Sequence, residues 1–200
     1  MRLKKCAVVF IVEGKNDKDF YEKTLDHFGC KRNYPHIDFK VIDISGVGNF
    51  KGKGKRKFDN HVENLTKKYG EIPVYAFLCY DKDVFSDRRQ SPPFNFDDLK
   101  KELLKSKQTK GVEGIVAVEQ IEDWYLIDID GICKYLGISK PKKINGATGV
   151  KKMEELFKRS TKGAYTKSET NFLNSLNLYK VTSKAKTQLK KIEDIAKTHT

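Results

Sequence analysis

The stretch "CAVVFIVEGKNDKDFYEKTL" (6–25) decides the fold of this chain. Its first seven residues, Cys6 to Val12, form a continuous apolar run rich in β-branched residues, which is typical of a strand buried on both faces. The run stops at Glu13 and Gly14, and a helical pattern of apolar residues begins directly afterwards. Glu13, a carboxylate directly after a buried strand, is therefore the first residue whose position needs a chemical explanation.

The same alternation of strand and helix continues along the chain. Further strands are predicted where apolar runs recur, and helices where apolar residues are spaced three and four apart. The predicted strands are 36–44, 73–83 and part of the run 114–128, and the predicted helices between them are 56–69 and 96–106. Three strand–helix units followed by a fourth strand predict an α/β domain with a mostly parallel, four-stranded, Rossmann-like sheet flanked by helices.

The last third of the chain has a different composition. From Lys134 to Thr200 there are 16 lysines and arginines against 5 acidic residues, whereas the first 133 residues carry 24 against 22. The net charge of +13 is therefore concentrated in a segment of short amphipathic helices. We predict an α/β catalytic domain over 1–135 and a basic helical extension over 136–200. A basic surface of this kind either binds nucleic acid or is an ordinary solvated face.

Composition also excludes several classes of protein. No stretch approaches the roughly 18 continuous apolar residues of a membrane span. The basic and then apolar start resembles a signal peptide, but the apolar run is short and lacks a small-residue cleavage site. The four cysteines lie far apart, with no C-x-x-C pair that would indicate zinc. We therefore predict a cytoplasmic protein with reduced cysteines.

Carboxylates follow three of the apolar runs. Glu13 follows the first, Asp81 and Asp83 end the third, and Glu119 and Glu122 lie within the fourth, 114–128. Because ligands bind at the carboxyl ends of parallel strands, we expect these acids to converge at one edge of the sheet. Converging carboxylates repel one another unless a cation neutralises them, and oxygen ligands favour Mg²⁺ or Mn²⁺. Such a site can activate water and clamp a phosphodiester.

Each of these acids also has an ordinary structural interpretation. An acid at one strand end is often a turn residue or a helix cap, and Asp17 could be only an N-cap. A single D-x-D pattern occurs in many plain turns, and Glu119 or Glu122 alone could be a surface residue. The coincidence of acids after three strands of one predicted sheet favours the metal site. Gly14 and the following helix start would leave room for a phosphate beside Lys15.

Two of these motifs together resemble a known family. "VEGKND" (12–17) and "YDKD" (80–83) are similar to the two acidic motifs of the TOPRIM domain, which occurs in topoisomerases, bacterial primases, recombination proteins and OLD-family nucleases. The first motif is carried by Glu13, Gly14 and Asp17, and the second by Asp81 and Asp83. The resemblance spans residues 5 to about 128, roughly the first two-thirds of the chain.

A third motif narrows the resemblance. "VEQIEDWYLID" (118–128) resembles a Glu-x-Trp signature of small RloB-like and OLD-like TOPRIM proteins, several of which serve in phage defence. It implies that Glu122, which precedes Trp124 in the signature, or Glu119 is a further metal ligand. Phe85 stands where topoisomerases often carry a third acid, and this argues against a topoisomerase.

The resemblance implies a metal-dependent nuclease that cleaves phosphodiester bonds of DNA or RNA. Glu13 would serve as metal ligand and general acid–base group, and Asp81, Asp83 and Glu122 would hold Mg²⁺ or Mn²⁺. The residues that would contact backbone phosphates are Lys15, Lys51, Lys53, Lys55 and Arg56. The family's setting implies an ATPase partner protein, and a homodimer is left open.

Two other functions remain open at this level. A TOPRIM-like module could bind nucleic acid or a partner protein without cleavage, in which case the carboxylates would be dispensable. A phosphatase or phosphotransfer enzyme acting on small esters is also consistent with Asp-x-Asp. The acids favour catalysis over bare binding, and the basic extension favours a polymeric substrate over a small one.

Overall fold

A computed structural model describes residues 4–82, 95–117 and 120–200. Its centre is a four-stranded parallel sheet with the strand order β2-β1-β3-β4. The strands are β1 (Cys6–Val12), β2 (Ile37–Asp43), β3 (Val74–Asp81) and β4 (Thr109–Ala117). The predicted α/β class and the predicted four-stranded, helix-flanked sheet are therefore confirmed.

The central strand β1 shows why a continuous apolar run was needed. Its seven residues are all buried, and alternate side chains enter two different apolar clusters. Val8 and Phe10 point to the first cluster, and Val9 and Ile11 to the second. This two-residue period is the geometry of a strand covered on both faces.

Helices cover both faces of the sheet. Their bounds are α1 (Lys15–His27), α2 (Cys30–Asn33), α3 (Lys55–Tyr69), α4 (Phe96–Leu104), α5 (Ile121–Tyr125), α6 (Ile129–Leu136), α7 (Gly149–Lys158), α8 (Leu178–Val181) and α9 (Lys186–Thr198). Short 3₁₀ turns lie at Val47–Asn49, Leu126–Asp128, Asn171–Ser175 and Thr182–Ala185, and one π-helical turn lies at Phe50–Gly54.

The two apolar clusters divide these helices between the faces. The second cluster contains the buried side chains of α3 and α4, including Phe58 and Leu99. The first cluster contains Phe20 of α1 together with side chains of the later helices, such as Phe157 and Ile192. Residues beyond 135 thus pack on the same sheet face as α1. The division of the chain into domains at 135 and 136 remains a prediction.

The fourth strand differs from its prediction. The apolar run 114–128 was expected to contain it, but β4 begins at Thr109 and ends at Ala117, and residues 121–125 form helix α5. Two features of β4 explain why its bounds were not predicted from the sequence. It lies at the sheet edge, where only four of its nine residues are buried. It also contains Gly111, where an added Cβ would meet the Tyr75 ring at 3.2 Å. Glu122 is consequently a first-turn helix residue rather than a strand-end residue.

The loop after β2 bends back toward the end of β1. Ser45 and Gly46 both have positive φ angles, 61° and 116°, and the Gly46 N–H donates to the carbonyl of Glu13 at 2.7 Å. The segment after β2, which is rich in glycine and lysine, is thus compact, and its π-helical turn leads directly into α3. Among the described residues, no helix is long and apolar enough to cross a membrane.

Candidate active site

A pocket of about 220 Å³ opens at the carboxyl ends of β1 and β3. It is the position that the parallel-sheet argument predicted for a ligand. Four carboxylates and one lysine meet there with smaller polar and backbone groups. The lining residues are Glu13, Gly14, Asn16, Asp17, Ser45, Gly46, Asp81, Ile121, Glu122 and Lys167.

Glu13 and Asp81 come together because β1 and β3 are neighbours in the sheet. Val12, the last residue of β1, pairs with Cys79, so Glu13 leaves the sheet beside the last residues of β3, which ends at Asp81. The Oε1 atom of Glu13 accepts a hydrogen bond from the backbone N–H of Asp81 at 3.0 Å. The two predicted strand-end acids are thereby joined through one hydrogen bond.

Asp81 in turn holds the start of helix α5. Its side chain is 8% exposed, and its Oδ1 atom accepts a hydrogen bond from the backbone N–H of Ile121 at 2.8 Å. This bond satisfies one of the N–H groups that a helix start leaves unpaired. It also fixes the next residue, Glu122, at the rim of the same pocket.

Glu122 is fully buried and is held by the C-terminal part of the chain. The hydroxyl of Tyr165 donates to Glu122 Oε1 at 2.9 Å, and the Asn16 amide donates to the Tyr165 hydroxyl oxygen at 3.3 Å. The other carboxylate oxygen, Glu122 Oε2, is buried with no hydrogen-bond partner among the described residues. A buried carboxylate oxygen without a partner is energetically costly unless a proton or a cation occupies it.

Asp17 completes the group of carboxylates from the first turn of α1. It is the third residue of the helix rather than the N-cap considered above, and Gly14 occupies the N-cap position. Its Oδ2 atom accepts a hydrogen bond from the Gly14 N–H at 3.0 Å. Asp17 thus stabilises the helix start and also faces the pocket.

Burial and mutual repulsion raise the pKa values of Asp17 and Asp81. Burial, followed by the charges of Glu13 and Glu122, raises the pKa of Asp17 to about 7. Burial, followed by Asp17, Glu13 and Glu122, raises the pKa of Asp81 to about 9. A divalent cation would stabilise the charged forms of these carboxyl groups, which share the pocket with one lysine.

Lys167 lines the same pocket and was not singled out from the sequence. Burial lowers its pKa, but Glu122, Asp81, Asp17 and Glu13 together outweigh that effect and raise it. The lysine lies more than 40 residues from the nearest of these acids in the chain. No sequence signal distinguishes it from the other lysines of the basic segment, because its role depends on where the chain after α7 returns to the sheet.

The predicted phosphate-binding cations do not line the pocket. Lys15 forms an exposed ion pair with Asp19 at 2.5 Å, and Lys55 pairs with Asp59. Lys51 and Lys53 lie in the π-helical turn, and Arg56 is exposed in the first turn of α3. Phosphate binding by these five residues remains a prediction.

Two predicted ligands, Asp83 and Glu119, lie outside the described residues. Within the described ranges, no three His, Cys, Asp or Glu side chains are already arranged to hold a metal ion. One physical reason is visible: each of the four carboxylates gives an oxygen to a hydrogen bond inside the protein. The residues still suit a hard cation, because four carboxyl groups share the pocket with one lysine and Glu122 Oε2 has no hydrogen-bond partner among the described residues.

Comparisons with known proteins give one structural similarity. No protein-family model matches the chain. No curated protein sequence matches it either. Among solved structures, the chain is similar to the C-terminal region of the Burkholderia pseudomallei OLD protein, with a TM-score of 0.46 and 14% identity over 94% of this chain and 98% of that one. This similarity concerns the course of the chain and assigns no activity to it.

Proposed function

We propose that this protein is a metal-dependent nuclease. The observation that carries the proposal is the meeting of Glu13, Asp81 and Glu122 in one pocket at the carboxyl ends of parallel strands. Asp17 and Lys167 border the same pocket. The three acids come from separate parts of the chain, so a local turn or helix cap does not account for their meeting.

The ligands in this proposal are Glu13, Asp81 and Glu122, together with the predicted ligands Asp83 and Glu119. Bound Mg²⁺ or Mn²⁺ would supply Lewis-acid activation of water and would neutralise charge on a phosphodiester. Glu13 is partly exposed in the pocket, and its hydrogen bond from the Asp81 N–H leaves it fixed in orientation. We assign it as the general acid–base group in addition to its role as a ligand.

The other pocket residues act on the substrate's charge. Lys167 carries the positive charge of this pocket and would bind a non-bridging phosphate oxygen electrostatically. Ser45 and Gly46 form the opposite lip, where positive φ angles bring the backbone close to Glu13. The resemblance of the motifs adds DNA or RNA as the substrate class, a role in phage defence and an ATPase partner.

A cleavage assay with matched variants tests this function. Labelled plasmid DNA, single-stranded DNA and tRNA would be incubated with Mg²⁺ or Mn²⁺ and with wild type, Glu13→Gln, Asp81→Asn or Asp194→Asn. We expect metal-dependent cutting that falls by about 100-fold or more in the first two variants. Asp194 is an exposed residue of α9, so its variant should cut like wild type.

Three results would contradict the nuclease. Equal cutting by all four proteins would place the activity elsewhere or in a contaminant. Salt-sensitive nucleic-acid binding without cutting under any metal would indicate a binding module. Turnover of a small phosphate ester that DNA and RNA do not inhibit would indicate a phosphatase.

A further inference from the structure

A second concave surface borders helix α5 at Asp123. This groove, of about 450 Å³, runs between the segment 126–129, the loop 140–144 and helix α7. We call it the lysine groove. Its floor is aliphatic, and its lining residues are Asp123, Leu126, Ile127, Ile129, Lys140, Pro141, Lys142, Lys143, Ile144 and Lys152.

The charges around the lysine groove are strongly asymmetric. Four lysines line it against one aspartate. Lys140 forms an exposed ion pair with Asp130 at 3.0 Å, and Lys152 lies 3.9 Å from Asp123. Lys142 and Lys143 are both exposed, and neither has an acidic partner within 4.0 Å among the described residues. The groove therefore presents positive charge that the protein itself does not neutralise.

The lysine groove and the carboxylate pocket are both lined by helix α5. Asp123 lines the groove and Glu122 lines the pocket, so consecutive residues of α5 belong to both. Helix α7 approaches α5 closely at Gly149, where an added Cβ would lie 2.9 Å from the Asp123 nitrogen. The Val150 N–H also donates to the Gln120 side chain at 3.1 Å. The two surfaces therefore have a fixed relation to each other.

We infer that the lysine groove binds the nucleic-acid strand that leads into the carboxylate pocket. This inference rests on the proposed nuclease function and locates its substrate path. Phosphates would contact Lys142 and Lys143, and sugars and bases would pack on the aliphatic floor around Ile127, which is 37% exposed. Such contacts do not read sequence, so the groove sets affinity and register rather than base preference.

Position favours nucleic acid over an acidic peptide as the occupant. Both would satisfy the lysines, but only a polyphosphate chain explains why the groove adjoins a pocket built for charged, metal-assisted chemistry. The predicted lysines after β2, Lys51, Lys53 and Lys55, do not line the groove and carry a separate prediction. The lysine groove is therefore testable by itself.

Binding measurements on full-length protein separate the groove from the loop and from catalysis. Fluorescence anisotropy would use labelled single- and double-stranded oligonucleotides of about 20 nucleotides, longer than a usual single-strand site. The groove variant is Lys142→Glu with Lys143→Glu. The matched control is Lys186→Glu with Lys190→Glu, two exposed lysines of α9 that have no acidic partner within 4.0 Å among the described residues. Neutral Gln versions of both pairs and circular dichroism guard against misfolding.

We expect the groove variant to bind at least about 10-fold more weakly at about 0.1 M salt, with a salt slope reduced by about 2. The α9 control should stay within about twofold of wild type. Equal binding of nucleic acid by the groove and control variants would overturn the inference. Binding of polyglutamate but not of nucleic acid by the wild-type protein would also overturn it. Groove-dependent binding without cutting under any metal would retain the groove and reject the nuclease. If the groove variant cuts nucleic acid as fast as wild type, the nuclease would be retained and the groove rejected.

Discussion

Asp81 combines structural and chemical demands in one side chain. It ends a buried strand, its N–H anchors Glu13, and its Oδ1 atom holds the first turn of α5. Because it is buried among other acids, its pKa rises to about 9. Asp81 therefore holds the fold through its hydrogen bonds, and at neutral pH it would become negatively charged only when a cation displaces its proton.

Asp81→Asn should stabilise the metal-free protein at neutral pH. Asparagine keeps an oxygen that can accept the Ile121 N–H. It also removes the free-energy cost of protonating Asp81 on folding, because the folded pKa of about 9 keeps this carboxyl group protonated at neutral pH. We expect the free energy of unfolding in EDTA to rise by about 1–3 kcal/mol. Added Mn²⁺ should raise the Tm of wild type more than that of the variant. Asp194→Asn should change neither quantity, and a metal response retained in full by Asp81→Asn would contradict the ligand assignment.

The raised pKa also predicts a pH dependence. Between about pH 4 and 9 the folded state holds a proton on Asp81 that the unfolded chain has released. The stability from this group is full below its unfolded pKa and is lost as pH rises toward 9. In urea titrations with EDTA, the free energy of unfolding of Asp81→Asn should therefore increase relative to that of wild type as pH rises from 4 to 9. A difference that is constant with pH would count against the shift.

At the level of elements, the C-terminal segment supplies groups that the sheet lacks. The chain after α7 brings Tyr165 to Glu122, and Lys167 to the same pocket. Helix α7 presses on α5 through Gly149. The orientation of α5, and with it of Glu122, is thus set from two sides by residues far along the chain.

Tyr165→Phe isolates the hydroxyl from the ring. The variant leaves Glu122 Oε1 buried without its donor, so we expect a loss of about 1–3 kcal/mol in stability. We also expect weaker Mn²⁺ binding by calorimetry, since the carboxylate loses its fixed orientation. Tyr179→Phe is the matched control, because Tyr179 is 66% exposed. Identical behaviour of the two variants would remove the positioning role.

Gly149→Ala probes the contact between α7 and α5. The new methyl group would lie 2.9 Å from the Asp123 nitrogen and 3.0 Å from Glu122 Cβ, so the helices must separate. We expect a loss of about 1–3 kcal/mol in thermal or urea unfolding, accompanied by reduced cleavage. Gly52→Ala meets nothing within 4 Å and should be neutral or slightly stabilising. A fully stable and active Gly149→Ala protein would show that this approach is not required.

At the scale of the whole molecule, one apolar cluster links the sheet to the C-terminal helices. Val8 of β1, Trp124 of α5 and Ile192 of α9 all belong to it. The residue after α9 also contacts the sheet, because the Tyr75 hydroxyl of β3 and the His199 ring form a hydrogen bond of 2.9 Å. Unfolding of the C-terminal helices would expose the same face of the sheet that α1 covers.

Cooperative unfolding should follow from this shared cluster. Trp124 is the only tryptophan and is 3% exposed, so its fluorescence reports on the joined core. We expect the urea transitions followed by tryptophan fluorescence and by far-ultraviolet circular dichroism to coincide. A fluorescence transition at clearly lower urea would instead indicate that the C-terminal helices separate before the sheet unfolds.

The sequence determined the α/β class and most of the sheet. Runs such as 6–12 are apolar at every position, and only a strand covered on both faces requires that. It also determined that Glu13 and Asp81 would meet, because parallel strands align their carboxyl ends. The edge strand β4 was misplaced because an exposed edge needs no continuous apolar run.

Only the tertiary structure decided the rest of the pocket. Asn16, Tyr165 and Glu122 form one hydrogen-bonded chain although up to 149 residues separate its members. Lys167 differs from its neighbouring lysines only in where the chain after α7 places it. Burial and charge interaction depend on distances in space, which spacing along a chain does not encode beyond one helix or strand. The local motifs therefore identified the acids, whereas long-range packing determines which residues hold them in place.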